Sequence, residues 1–146
     1  MDKTYYFAYG SNANSKNMHK TCPSAQALGV SFLRDHKLSF MGNKGAAIAC
    51  VTPSKGVSVP VVVWSLDKSE MGKLTNYVTL PYLYNKREVE IEFRGDGLKG
   101  FVYFPTLNLR ASMPSEGYLN TLREAYSEHG IDINYLEVAI KEASGR

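Results

Sequence analysis

The chain lacks any apolar run long enough to cross a bilayer as a helix, which takes roughly 18 residues, so no membrane span is expected. Its first residues, MDKTYYF, lack the basic segment and apolar core of a secretory signal. Cysteine is scarce. Cys22 and Cys50 have no metal-ligand spacing, and two buried free thiols in a reducing cytoplasm are expected rather than a disulfide. Neither sign of charge dominates: 17 Lys and Arg stand against 14 Asp and Glu, and the cations are scattered. A long nucleic acid is therefore not an expected partner. Repeats, low-complexity tracts and linkers are also missing, and 146 residues read most simply as one domain, 1–146. What the chain has in excess is tyrosine, ten of them.

Residues 4–9 read as a buried strand that stops at Gly10-Ser11-Asn12. A short helix over 14–21 is limited by Pro23. Residues 25–34 and 36–41 read as two strands about an Arg34-Asp35 turn, and 46–51 and 57–66 as two more about Pro53-Ser54-Lys55-Gly56. Asp67 and Glu70 fit a capping box for a helix over 68–77. From Lys86 to Arg94 apolar and acidic residues alternate, and 99–104 returns as a hairpin partner after Gly95-Asp96-Gly97. Ser115 begins a helix that Gly130 ends, and Asp132 caps a last one. The fold class is α+β.

The stretch YFAYGSN carries the functional question. A glycine and two small polar residues after a strand can leave backbone N–H groups pointing one way, a nest suited to a carboxylate or phosphate. A helix starting just beyond it would add favourable partial charge. The same residues also suit a plain turn followed by an N-cap.

The ordered set of motifs narrows this. YFAYGSN with Met18 and CPSA, then GAAIACVTPSKGVSVPVVVWSL, PYLYNKREVEIEF and PSEGYLNTLREAYSEHGIDINYLEVAI, resembles the γ-glutamylcyclotransferase-like (AIG2-like) family along essentially the whole chain. The resemblance implies a small mixed β-barrel flanked by helices, with a pocket at the strand end that carries YGSN. It implies a reaction in which the α-amine of a γ-glutamyl group attacks its own γ-carbonyl, closing 5-oxoproline and releasing an amine or amino acid. No metal or organic cofactor is implied, because nucleophile and electrophile share one substrate. The ligand-binding residues implied are Tyr9, Gly10, Ser11, Asn12 and Ala13 at the turn, with Tyr84, Tyr103 and Tyr118 lining the pocket; tyrosines in such places also serve as plain core packing.

The family's proton carrier is a glutamate in a segment reading Leu-Asp-x-Tyr-Glu-Gly. This chain reads Leu74-Thr75-Asn76-Tyr77-Val78-Thr79, and the flanking Pro81 and Tyr84 hold the register. Val78 thus occupies the glutamate position, and valine carries no proton. Losing a positioned general base costs about 10²- to 10⁴-fold in rate. Glu70, the Glu88, Glu90 and Glu92 row, Glu116 and the three histidines offer no evident replacement. Three functions follow as expectations. The first is a non-catalytic protein that sequesters or senses a small anionic metabolite, a γ-glutamyl compound or nucleotide, in the YGSN/tyrosine pocket. The second is an active γ-glutamylcyclotransferase releasing 5-oxoproline. The third is a protein-interaction module with a vestigial pocket, oligomeric or not. A cytoplasmic location is expected for each.

Overall fold

The run VPVVVWSL has no polar alternation, which suits a strand covered on both faces. The computed structural model describes residues 3–79, 84–106 and 110–145, the side chains of 76–79 excepted, and places this run on an inner strand of a five-stranded sheet. The elements in order are β1 (Lys3–Ala8), a 3-10 turn (Ser11–Ala13), α1 (Ser15–Thr21), β2 (Gln26–Met41), β3 (Ile48–Asp67), α2 (Lys68–Thr79), β4 (Tyr84–Phe93), β5 (Asp96–Pro105), α3 (Glu116–His129) and α4 (Asn134–Ala143). The strand order is β2-β3-β1-β5-β4, antiparallel except for the β1–β5 pair, where Tyr6 lies opposite Phe101. Among the described residues no helix is long and apolar enough to cross a membrane.

Two readings of the sequence change. The four short strands expected between residues 25 and 66 are one long hairpin, β2 with β3, running from Gln26 opposite Ser65 to Met41 opposite Ile48. Asp35 is a bulge with φ 61°, not a chain reversal, and the loop of residues 54–57 is its counterpart on β3. The Asp35 carboxylate accepts from the Gly56 amide at 3.0 Å, which ties the irregularity together. The capping box is also not formed as expected: the Glu70 carboxylate accepts from the Ser24 hydroxyl, and Asp67 pairs with Lys3 at 2.7 Å.

Alternation along β1 sends Phe7 and Tyr9 to one side of the sheet and Tyr6 and Ala8 to the other. On the first side Leu119, Leu122 and Tyr126 of α3 and Leu136 and Ala139 of α4 complete the core. On the second, Met18 of α1 and Leu74 of α2 close over Trp64 and Leu66. Each fully buried large side chain contributes about 1.5–3 kcal/mol. The two free cysteines are buried, as the sequence suggests. Ser115 caps α3 through the Tyr118 amide, and Gly130 ends it at φ 67°.

The sheet coils until its edges, β2 and β4, approach. The Ser31 hydroxyl donates to the Glu92 carbonyl and the Arg94 guanidinium to the Leu28 carbonyl. The barrel is therefore closed at one end by side chains rather than by a backbone ladder. This small mixed barrel with flanking helices is the α+β architecture expected.

Candidate functional site

The turn after β1 is held from its carbonyl side. The Ala13 amide donates to the Gly10 carbonyl at 2.9 Å and the Asn14 amide to the Ser11 carbonyl at 3.1 Å. The Asn12 carbonyl accepts from the Trp64 indole at 2.9 Å, and the Ala13 carbonyl lies 3.0 Å from His129 Nε2. In a trans peptide the N–H points opposite the C=O, so fixing the Gly10 and Ser11 carbonyls fixes the amides of Ser11 and Asn12. Those two amides open the 3-10 turn and have no partner among the described residues. They are two backbone donors left open at the end of β1.

Other parts of the expected site are spent elsewhere. Tyr9 is buried and its hydroxyl donates to the Tyr103 carbonyl at 2.7 Å, so its side chain belongs to the core. The Asn12 side chain turns inward: its Oδ1 accepts from Asn17 at 2.8 Å and its Nδ2 reaches toward the Tyr6 hydroxyl at 3.5 Å. Ala13 is buried with its amide used inside the turn. The start of α1 adds no anion site, because Asn14 Oδ1 takes the amides of Lys16 and Asn17 and the Glu128 carboxylate takes that of Ser15. Glu128 is thereby held below the usual carboxylate range: burial pushes it up, but the Ser15 bonds, with the charges of His129 and His19, prevail.

Opposite the turn stands Ala49 of β3. Its amide donates to the Tyr118 hydroxyl at 3.0 Å, and its carbonyl accepts from the Tyr84 hydroxyl at 2.6 Å. A Cβ placed on Gly10 would lie 3.4 Å from Ala49 Cβ and 3.6 Å from the Tyr118 hydroxyl, so the turn, Ala49 and Tyr118 are in near contact. Tyr103 points toward α2, its hydroxyl 3.0 Å from Thr75 Oγ1. Thr75 stands at the family's aspartate position by the register above. The side chain of Val78 lies outside the described residues; its backbone belongs to α2.

Sequence reasoning missed Tyr6. It packs against Phe101 at 5.1 Å between ring centres, and its hydroxyl interacts electrostatically with those of Tyr103 and Tyr118. Tyr84 likewise senses Tyr9, Tyr118, Cys50 and Tyr6. The signal was available in the alternation of Tyr5-Tyr6-Phe7-Ala8-Tyr9, which sends Tyr6 to the face of Tyr103. Burial drives the hydroxyls of Tyr6, Tyr9 and Tyr84 well above the usual phenol range. Burial also takes Tyr103 to about 12, against the lowering effect of its Thr75 bond, and the Cys50 thiol to about 11, against that of Tyr84. The causes of these shifts are burial and neighbouring hydroxyls, thiols and an amide; no carboxylate is among them. The cluster is neutral near pH 7 and rich in hydrogen-bonding oxygen.

Several basic residues near the tyrosines and α1 are engaged elsewhere. Lys86 and Arg87 lie over the rings of Phe101 and Phe104, and Lys16 reaches Glu124 at 3.9 Å from an exposed position. His19 contacts the Ala25 carbonyl at 2.8 Å and the edge of Trp64.

Residues 6–120 match the model of the family described as gamma-glutamyl cyclotransferase, AIG2-like. The chain belongs to this family. A gamma-glutamylcyclotransferase of Homo sapiens is 30% identical over 141 residues, covering 90% of this chain and 74% of that one, and one of Mus musculus is similar to the same extent. A solved structure described as gamma-glutamyl cyclotransferase superposes with a TM-score of 0.84 at 30% identity, over 94% of this chain and 86% of that one.

Proposed function

We propose that this member of the cyclotransferase family binds a small anionic metabolite, a γ-glutamyl compound or a nucleotide, without turning it over. The observation that supports this reading is the pair of Ser11 and Asn12 amides left open at the end of β1, next to Gly10, whose Cβ position lies 3.6 Å from the Tyr118 hydroxyl. Two fixed backbone donors suit a carboxylate or phosphate. Gly10, Tyr84, Tyr103 and Tyr118 shape the space around it, and by the sequence register valine, at position 78, stands where the family carries its glutamate. Ring closure needs a group that takes a proton from the α-ammonium and returns one to the leaving amine. Raised phenols are poor bases at neutral pH, and neither Val78 nor Thr75 supplies one.

The test is a thermal-shift series with γ-glutamyl amino acids, free amino acids and nucleotides, paired with an assay for 5-oxoproline. Stabilisation by at least one class without 5-oxoproline release is expected. Restoring the family residues as Val78→Glu with Thr79→Gly should then bring measurable release. Turnover by the unaltered chain at ordinary metabolic rates would overturn the reading. It would favour the second one, an active γ-glutamylcyclotransferase, which the 30% identity to proteins bearing that name supports.

A further inference from the structure

The two outer edges of the sheet face each other across a gap that the ladder does not close. β4 pairs only with β5 among the described residues, and β2 pairs with β3 and, from Phe40 onward, with residues 110–112, so the facing edges along residues 32–34 and 89–92 have no strand partner. At one end the gap is bridged by Ser31 to Glu92 and Arg94 to Leu28. Beyond that bridge it opens into a cavity of about 550 Å³ walled by residues 32–34 of β2 and 89–92 of β4. Phe32, Arg34 and Glu92 continue it into a second hollow, and Tyr135 and Ser58 continue that one into a groove beneath α4.

This channel gathers the apolar surface of the molecule. The large apolar side chains exposed among the described residues are Phe32, Val57, Ile133, Tyr135 and Val138. All but Ile133 line the channel, and the Phe32 and Tyr135 rings meet at 5.8 Å between centres, tilted by 46°. Contiguous apolar exposure of this kind marks an interaction surface. Its charge is distinctive too. The walls carry Glu90, Glu92, Asp96, Asp132 and Glu142 against Arg34 and Lys37, in a chain whose net charge is +3. Lys37 is already engaged by Glu142 at 3.2 Å.

We propose that the β2–β4 gap accepts an extended peptide segment of a partner protein, with apolar and cationic residues alternating, as an added strand. Open sheet edges offer the main-chain bonds that such a segment lacks in water. Alternation turns one row of side chains inward onto Leu33, Val89 and Ile91 and the other outward, where Glu90 and Glu92 stand beside Phe32. An acidic or uniformly polar segment satisfies only one of these walls.

The probe is a fluorescein-labelled, end-blocked octapeptide of alternating lysine and valine, followed by anisotropy on the full chain. Comparators replace lysine by glutamate or methylate alternate backbone nitrogens. Saturable binding is expected, weakened at least about tenfold by either comparator change and by Glu90→Lys with Glu92→Lys, whose side chains are exposed. The peptide comparators on the unaltered chain keep the test valid if the double variant folds poorly. Absence of binding at millimolar peptide overturns the proposal, as does equal binding of the acidic or methylated peptide. Self-association in sedimentation velocity that Val138→Glu abolishes also overturns it, since the channel's occupant is then a second copy of the chain.

Discussion

At the scale of single residues, the turn after β1 is held by two aromatic side chains. Trp64 and His129 meet edge to face at 6.1 Å between ring centres, and each engages one carbonyl of the turn. Trp64 is the only tryptophan in the chain, and its indole is buried. Replacing it by phenylalanine keeps much of the packing but leaves the buried Asn12 carbonyl without its donor, at a cost of about 1–3 kcal/mol. The turn should then open more often, seen as faster hydrogen exchange than in the parent at the Ala13 and Asn14 amides, whose bonds close it. His129→Gln, which keeps an N–H of similar reach, should exchange more slowly than His129→Leu. Equal protection in all variants would mean that the 3-10 bonds alone hold the turn. Neither residue was legible as a support in the sequence. His129 reads there as a favourable charge at a helix end, because its carbonyl partner lies 116 positions away.

Elements defined by local rules were legible: β1 and its stop at Gly10, α1, the β4–β5 hairpin, and α3 with its serine cap and terminal glycine. The β4–β5 reversal falls one residue earlier than read, on Arg94 and Gly95 at φ 55° and 88°, as a two-residue mirror-type turn demands. The β2–β3 hairpin was not legible as one unit, since Asp35 and residues 53–56 carry ordinary turn chemistry and only cross-strand register makes them a bulge. The β1–β5 contact was equally hidden. There Gly100 lets the Phe7 ring lie across β5: a Cβ at that position would meet Phe7 Cζ at 2.6 Å and the Tyr5 carbonyl oxygen at 2.8 Å. Because one obstacle is backbone, the strands must part to admit even a methyl group. Gly100→Ala is expected to destabilise the fold by about 1–3 kcal/mol or more in chemical denaturation. Gly97→Ala meets only the movable end of Glu90 and should cost far less. Similar losses for both would show that β1 and β5 are not tightly apposed.

For the whole molecule, the neutral hydroxyl and thiol cluster makes stability a function of pH at the alkaline side. Burial raises the folded-state values of Tyr6, Tyr9, Tyr84 and Tyr103, and takes Cys22 and Cys50 from 9.0 to about 11. An acid whose value is raised on folding is neutral in the folded chain where it would ionise in the unfolded one. The stability this represents is intact below the unfolded value and is lost as pH climbs through the folded one. Denaturation midpoints should therefore be level near neutrality and fall from about pH 9 upward, first through the thiols and then through the phenols. Glu128 works in the opposite sense: its value is lowered on folding, so its contribution is present above the ordinary carboxyl range and disappears as pH drops. Cys50→Ala removes one alkaline contributor without a charge at neutral pH. Its stability should fall less steeply than that of the parent between about pH 9 and 11, by the equivalent of one proton, with the acid limb unchanged. Denaturant titrations at matched pH measure that slope directly. An unchanged alkaline slope would mean that the thiol beside Tyr84 meets water.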